Sequence, residues 1–350
     1  MNLAELNRAE IEQALTGLGL PAFHGRQIFR WIHHRGVTTF EDMTDLSRTL
    51  RTRLAESFTL SSPSIQQKQV STDGTTKFLL GLDDGRRIEA VYIPDTPAQT
   101  FCISTQVGCA MACAFCLTGQ MGLARHLTAG EIAGQVRVLA EQTGLMDRPF
   151  NIVLMGMGEP LHNYEATMKA LRMLADEHGL SLPLKRVTLS TVGVVPGLDR
   201  LAAEPDIPNL AISLHATTDA ARDRLVPINR RYKLEDLIAA CKRFPLGKRR
   251  RITFEYVLLD HVNDTPDDAR RLVRLLNGLK AKVNLLPLNE AAGIPFKRPS
   301  DDRVNAFARI LADRDVRVSV RKSRGRDIRA ACGQLLVERT GRPEASAPQH

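Results

Sequence analysis

Aromatic side chains are scarce in this chain: they make up 5% of 350 residues, with a single tryptophan. That scarcity argues against a broad platform of stacked rings for nucleic-acid bases. Long apolar runs are missing too, and none approaches the roughly 20 residues needed to cross a bilayer, so no membrane partner is expected. Cysteine is rare, at six residues. The opening MNLAELNRAEIE carries charge where a secretory leader has its apolar stretch. A disulfide framework is therefore not expected. No internal repeat is visible, which excludes a repeat architecture.

What the chain does have is enough apolar residue, 43%, to build a substantial core, and a net charge of +9. Its length suits one large domain plus a small one. The basic residues bunch in Lys248-Arg249-Arg250-Arg251 and in Arg321-Lys322-Ser323-Arg324-Gly325-Arg326. Such clusters attract phosphate backbones, although a solvated surface explains them equally well.

Residues 1–60 read as a small helical module, with helical spacing over Leu3–Leu18, Phe23–His34 and Leu46–Phe58. Residues 61–98 alternate as strands, and Asp84-Gly85 marks a hairpin. From 99 to 336 the pattern becomes strand, then helix, repeatedly. Strands are expected at Phe101–Thr105, Ile152–Met155, Arg186–Leu189, Leu210–Leu214, Ile252–Leu258, Val283–Leu286 and Val316–Val320. Helices are expected at Thr128–Thr143, Tyr164–His178, Leu234–Phe244, Pro266–Gly278 and Asp302–Asp313. Alternating βα units imply an α/β fold with a parallel sheet, closed wholly or partly into a barrel with function at the C-terminal ends of its strands. Residues 337–350 are expected to be a disordered tail.

One loop after the first core strand holds Cys109, Cys113 and Cys116, spaced C-x3-C-x2-C. A [4Fe–4S] cluster normally takes four thiolates, so three close ligands leave one iron open to bind a small molecule and pass it an electron. A structural zinc site needs four donors; His126 or Cys102 would have to supply the fourth, and the paired C-x2-C knuckles are absent. Other unusual residues follow later strands on the same rim: Gly156-Met157-Gly158-Glu159-Pro160, Ser190-Thr191, Ser213-Leu214-His215 and Asn289. Singly, each is better explained as a turn, a cap or a satisfied polar residue. Their convergence beside an open-iron loop favours a site, in which Glu159 would accept hydrogen bonds from an ammonium group. Cys241, on an apolar helix face, reads as a small buried hydrophobe. Cys332 follows a basic, Gly-containing segment that suggests an exposed, mobile loop.

CAMACAFC followed by LTGQMG resembles the signature of radical S-adenosylmethionine (SAM) enzymes. FCISTQVGC, GMGEP, STVG, SLHA and DIRAACGQL together resemble the RNA adenosine C2-methyltransferases of the RlmN type. The resemblance covers about residues 85–336, and the N-terminal helices fit that family's accessory domain. It implies a partial (βα)6-type TIM-like radical SAM barrel with a helical accessory domain and a short β linker. It implies cofactors, a [4Fe–4S] cluster held by Cys109, Cys113 and Cys116, and SAM held by Gly158, Glu159, Ser190, Ser213, Leu214, His215 and Asn289. It also implies that Cys332 is methylated during turnover, that Cys102 is its disulfide partner, and that Glu89 in IEAVYIP is the proton acceptor.

On the same resemblance, the partners would be 23S rRNA and tRNA together with an electron donor such as flavodoxin or ferredoxin, and an oxygen-sensitive cluster with a thiol pair reduced in each cycle would place the protein in the cytoplasm; a monomer is the default expectation. Both basic clusters and the helical module are candidates for holding RNA, so Ala at Arg249–Arg251 should weaken binding. A Cfr-type enzyme, methylating carbon 8, shares all the cysteines but typically has Ala where this chain has Pro160. A non-catalytic iron–sulfur RNA-binding redox sensor would need neither the GMGEP and SLH set nor Cys102 with Cys332. A radical SAM enzyme for a small molecule or a protein would leave AACGQL unexplained.

Overall fold

The computed structural model describes residues 1–94 and 99–337. Residues 95–98 of the expected linker, and the tail from 338 on, lie outside the described residues. Three short helices come first: α1 (Arg8–Gly17), α2 (His24–His33) and α3 (Arg48–Ser57). The helix expected from Leu3 is divided, because Asn7 accepts the Glu10 N–H while Glu10 reaches back to the Asn7 N–H, a capping box that starts α1 at Arg8. Leu3–Glu5 forms a separate turn.

Next come β1 (Ser64–Val70), β2 (Thr76–Gly81) and β3 (Arg87–Ile93), an antiparallel meander turned in part by Asp84-Gly85. The βα units then follow: β4 (Thr100–Cys102), β5 (Gln106–Gly108), α4 (Leu117–Gln120), β6 (Leu123–His126), α5 (Ala129–Thr143), β7 (Asn151–Leu154), α6 (Tyr164–Ala175), β8 (Val187–Thr191), α7 (Val195–Ala202), β9 (Asn209–Ser213), α8 (Asp219–Leu225), α9 (Leu234–Arg243), β10 (Ile252–Leu258), α10 (Pro266–Leu275), β11 (Ala281–Pro287), α11 (Asp301–Ala312) and β12 (Val318–Val320).

Ten strands form one sheet in the order β1-β2-β3-β4-β7-β8-β9-β10-β11-β12. Within this sheet every pairing from β4 to β12 is parallel, and the antiparallel meander extends it on the β4 side; β5 and β6 pair antiparallel in a separate two-stranded sheet. This is the partial α/β barrel expected from the alternating pattern, open between its first and last strands. Each expected core strand is present. The ends differ by a few residues, and β8 runs on through Ser190 and Thr191, which therefore sit in the strand and not beyond it. The short helices α7 and α8 had no clear periodic signal; α7 has proline in its first turn, where the missing N–H costs nothing.

Register decides which side chains face the site. In paired strands opposite residues share a face, and successive residues alternate. Phe101, Ile152, Leu154, Val187, Leu189, Leu210, Ile212, Phe254, Tyr256, Val283 and Leu285 fall on one face and are all buried in the main core. The other face carries Cys102, Thr188, Ser190, Ser213, Thr253, Glu255, Asn284 and Ser319. Through the β3 and β2 pairings it also carries Glu89 and Lys77. Strands of a parallel sheet are usually apolar on both faces. Here the inner face mixes these polar residues with Val91, Val153, Ala211 and Val257, and the polar ones mark it as the side where something other than packing is done. Among the described residues no helix is long and apolar enough to cross a membrane.

Candidate active site

The cysteine loop lies between β5 and β6, pinned at both ends. The Cys109 N–H donates to Gly122 O at 2.9 Å, and the Ala114 N–H to Leu225 O at 3.0 Å. All three thiols are largely removed from water. Cys109 and Cys113 belong to a second, smaller apolar cluster with Met111, Leu225, Val226, Val257, Leu259 and Leu288, against which Cys116, Phe115 and Phe296 pack. Burial pushes the Cys109 thiol up to about 12 and raises Cys113 and Cys116 as well, and the neighbouring thiols add to the rise at Cys109 and Cys113. Three crowded thiols that resist ionisation need a metal to hold them as thiolates. Among the described residues no three His, Cys, Asp or Glu side chains converge closely enough for a single ion. His126, the candidate fourth zinc ligand, is instead engaged by Gln106 Nε2 at 3.0 Å. The donors therefore fit a cluster of several irons, each taking its own thiolate, better than one zinc.

The GMGEP turn follows β7. Gly158 has φ +103°, and a Cβ there would stand 2.6 Å from Gln106 Cβ, so only glycine fits. Glu159 is 2% exposed, with Oε1 accepting the Leu161 N–H at 3.0 Å and Oε2 the Val192 N–H at 2.8 Å. Burial raises it to about 7 against those hydrogen bonds. It thus ties this turn to the end of β8 while lying in electrostatic reach of Cys109 and Cys113. Ser190 and Ser213 meet at 3.4 Å across β8 and β9. Leu214 is fully buried. His215, at φ +60°, accepts the Val257 N–H through Nδ1 at 3.0 Å, and its ring meets Phe115 edge-on at 4.7 Å. Burial and Arg222 hold its pKa down at about 3, so the ring is neutral. Asn289, two residues past β11, is half-buried.

The Cys332 loop is stitched to the segment just after Cys116. The Leu117 N–H donates to Gly333 O at 2.8 Å, and Thr118 Oγ1 to Leu335 O at 2.7 Å. Gly333 has φ +80°, and a Cβ there would press on Phe115 O at 3.2 Å. Cys332 is exposed, yet the dense protein around it pushes its thiol up to about 11, with Glu255 adding to the rise, Arg321 opposing it, and Cys116 within electrostatic reach. Cys102 is buried on the inner face, and its thiol is raised by burial and by Cys332. Glu89 is 4% exposed; it accepts from Lys77 Nζ at 2.9 Å and from the Leu336 N–H at 2.8 Å. It lines a cavity of about 400 Å³ with Lys77, Arg87, Arg329 and Gln334. The structure thus brings the cysteine loop, GMGEP, Ser190, Ser213–His215, Cys102, Cys332 and Glu89 to one mouth.

Reasoning from the sequence missed Gln106, whose amide Oε1 accepts the Glu159 N–H at 2.9 Å, and also Arg222 and Glu255. Glu255 alone carried a local signal, as the one charge inside ITFEYVL. The two basic clusters separate: Arg321–Arg326 follows the C-terminal end of β12, at the mouth, whereas Lys248–Arg251 precedes β10, at the opposite end of the barrel.

Comparison with known proteins agrees with this geometry. The family model "Ribosomal RNA large subunit methyltransferase N-terminal domain" matches residues 1–60, and "Radical SAM superfamily" matches residues 103–276. The dual-specificity RNA methyltransferase RlmN of Syntrophobacter fumaroxidans is 48% identical over 329 residues, covering 94% of this chain and 96% of that one. Its counterpart in Geobacter sulfurreducens is 49% identical over 335 residues, covering 96% and 92%. The crystal structure of a radical SAM methyltransferase from Sphaerobacter thermophilus superposes with a TM-score of 0.92 at 48% identity, over 96% of this chain and 99% of that one.

Proposed function

Because the chain belongs to the RlmN family of radical SAM methyltransferases, we propose that it methylates carbon 2 of an adenosine in 23S rRNA and in tRNA through a methylated Cys332. The observation that carries this reading is the seam between the Cys332 loop and the cysteine loop, the Leu117–Gly333 and Thr118–Leu335 hydrogen bonds, with Cys102 as the electrostatic neighbour of Cys332. A thiol held there serves no evident packing purpose.

Cys109, Cys113 and Cys116 would hold the [4Fe–4S] cluster, with Gly158, Glu159, Ser190, Ser213–His215 and Asn289 around SAM. The cluster, when bound, supplies the electron that breaks a carbon–sulfur bond of SAM and yields a carbon radical. The need for it lies in the substrate: carbon 2 of adenine is electron-poor between two ring nitrogens, and the methyl of SAM is itself an electrophile. Cys332 resolves the mismatch by taking the methyl onto sulfur first, forming a sulfur–carbon bond as its proton leaves and S-adenosylhomocysteine departs. A hydrogen atom of that methyl would pass to the carbon radical from a second SAM, giving 5′-deoxyadenosine; once the remaining carbon is joined to carbon 2, Glu89 takes the carbon 2 proton and the adduct's unpaired electron returns to the oxidised electron donor. The burial of Glu89, which raises its proton affinity, supports that role. Cys102 then attacks the Cys332 sulfur; the sulfur–carbon bond breaks, the freed carbon takes up the proton lost by the Cys102 thiol to become the methyl group, and the disulfide left behind is reduced by an external dithiol. The RNA would approach along the Arg321–Arg326 side of the mouth, with the base splayed from its stack.

The test is an anaerobic assay with SAM, reductant and 23S RNA or tRNA fragments, read by mass spectrometry of digested RNA. 2-Methyladenosine from the native protein and none from Cys332→Ala is the expected result. A carbon 2-deuterated adenosine should lose its label; retention with methylation would move the reaction to carbon 8. Formation of 5′-deoxyadenosine without any methyladenosine would refute the RNA assignment.

A further inference from the structure

Arg222, on α8, has the largest side chain that the fold encloses completely, at 0% exposure. Its guanidinium donates to four oxygens: Nε to Leu214 O at 3.0 Å, Nη1 to Asn229 Oδ1 at 3.1 Å, and Nη2 to Val192 O at 2.6 Å and to Ser213 O at 3.2 Å. None of these is a carboxylate. Asp219 and Asp223 stand one step away, behind Asn229, whose Nδ2 donates to them at 2.9 and 2.6 Å. Both are engaged elsewhere too: Asp223 pairs with Lys233 at 3.0 Å, and Asp219 Oδ1 accepts the Leu234 N–H at 3.0 Å.

A buried cation held only by neutral groups is costly, and its place is explained when an anion faces it. Helix α8 itself meets the cysteine loop: the N–H of Ala114, next to Cys113, donates to Leu225 O at 3.0 Å and Leu225 packs with Cys109 and Cys113, which brings Arg222 within electrostatic reach of Cys113. Three thiolates on an iron–sulfur core with two positive charges leave a net negative charge, and one-electron reduction adds another. With water excluded, a fixed positive charge favours the reduced state. The same guanidinium ties the end of β9 to the loop after β8, so it holds both SAM-side turns in place.

We propose that Arg222 is the built-in counter-charge of the cluster and sets the potential at which the cluster accepts its electron. The proposal rests on the reading of Cys109, Cys113 and Cys116 as cluster ligands. It makes Arg222 a positioning residue that acts through the cluster and not on the RNA.

The experiment uses the full chain, reconstituted anaerobically with iron and sulfide. The reduced cluster is followed by electron paramagnetic resonance as potential is lowered with dithionite and mediators. Arg222→Gln removes the charge and should move the midpoint to lower potential. For a unit charge ~10 Å away at an effective dielectric of ~20, the reduced-to-oxidised ratio at a fixed potential should fall roughly tenfold or more. Arg222→Lys keeps the charge and should stay close to the native midpoint. Asp219→Asn/Asp223→Asn removes the acids behind Asn229 and should move it the opposite way, upward. A merely structural role would lower the iron bound without moving the midpoints in opposite directions. If Arg222→Gln holds no iron, the double aspartate variant decides alone, and an unmoved midpoint overturns the proposal. Equal midpoints in all variants overturn it as well. Native protein that takes up no iron and sulfide overturns the cluster reading itself, and the proposal with it.

Discussion

Lys77 and Glu89 form an ion pair at 2.9 Å whose side chains are 11% and 5% exposed. Lys77→Met should therefore leave a buried carboxylate supported, among the described residues, by the Leu336 N–H. In the native protein, burial already holds Glu89 above its ordinary value of 4.5, with Lys77 and Leu336 pulling the other way. The folded state thus binds this proton more tightly than the unfolded chain does. Stability contributed by Glu89 consequently falls as pH rises through the window above 4.5. Removing Lys77 raises the folded-state value further and widens that window upward. Removing one partner of a buried pair costs about 3–5 kcal/mol when the survivor stays charged. At pH 8, the loss should be about 3 kcal/mol, near the low end because Glu89 lines a cavity of about 400 Å³ and is not packed on all sides. At pH 5, where Glu89 in the variant takes up a proton instead, it should shrink to about 1 kcal/mol. For a chain of this size these correspond to melting-temperature losses of roughly 6 °C and 2 °C. The assay is anaerobic thermal unfolding at both pH values, with Lys77→Met/Glu89→Gln alongside. The double variant should regain most of the loss at pH 8, since Gln leaves no buried charge. Equal losses at both pH values, or a double variant no better than Lys77→Met, would refute the reasoning.

Two other substitutions test the mouth. Gly158→Ala forces a side chain into φ +103° and places Cβ 2.6 Å from Gln106 Cβ. It should destabilise the protein by about 2–4 kcal/mol, seen in thermal unfolding, and weaken SAM binding measured by calorimetry. Replacing Arg321, Lys322 and Arg324 with Ala should lower RNA affinity and flatten its dependence on salt. Ala at Arg249, Arg250 and Arg251, at the far end of the barrel, should have the smaller effect in the same filter-binding titration. The opposite ranking would place the RNA along the base of the barrel and not at its mouth.

The cysteine loop stands out in the sequence because its signal is local. Three thiols within eight residues can reach one cluster whatever the rest of the chain does. The core strands could be read for a similar reason: each is a short apolar run between helical stretches, and the sheet follows from their alternation. What stayed hidden depends on contacts between distant segments. Arg222 sits in DAARDRL, where its neighbours Asp219, Asp223 and Arg224 make the helix look like a solvated face. It is buried because carbonyls of Val192, Ser213 and Leu214 gather around it, and no spacing in the sequence announces that. The basic clusters looked alike as charge runs, and only the direction of β10 and β12 puts them at opposite ends.

Glu255 shows how far such local reading can go. Within ITFEYVL it is one carboxylate in an apolar strand, which taken alone suggests an edge or an error of assignment. The register sets it level with Ser213 on one side and Asn284 on the other, and Asn284 in turn with Ser319. Asn284 Nδ2 donates to Glu255 at 2.9 Å and Ser319 Oγ to Asn284 at 2.7 Å, so the row is hydrogen-bonded across three strands. A barrel whose purpose was packing would fill that layer with valine and isoleucine. A polar row there, with Cys332 in electrostatic reach of Glu255 and Cys102 on the same face, belongs to an interior that a ligand completes. The polar residues that interrupt the apolar pattern of these strands thus fall on one face beside the proposed site, which is why an apolar-pattern reading fails at those positions.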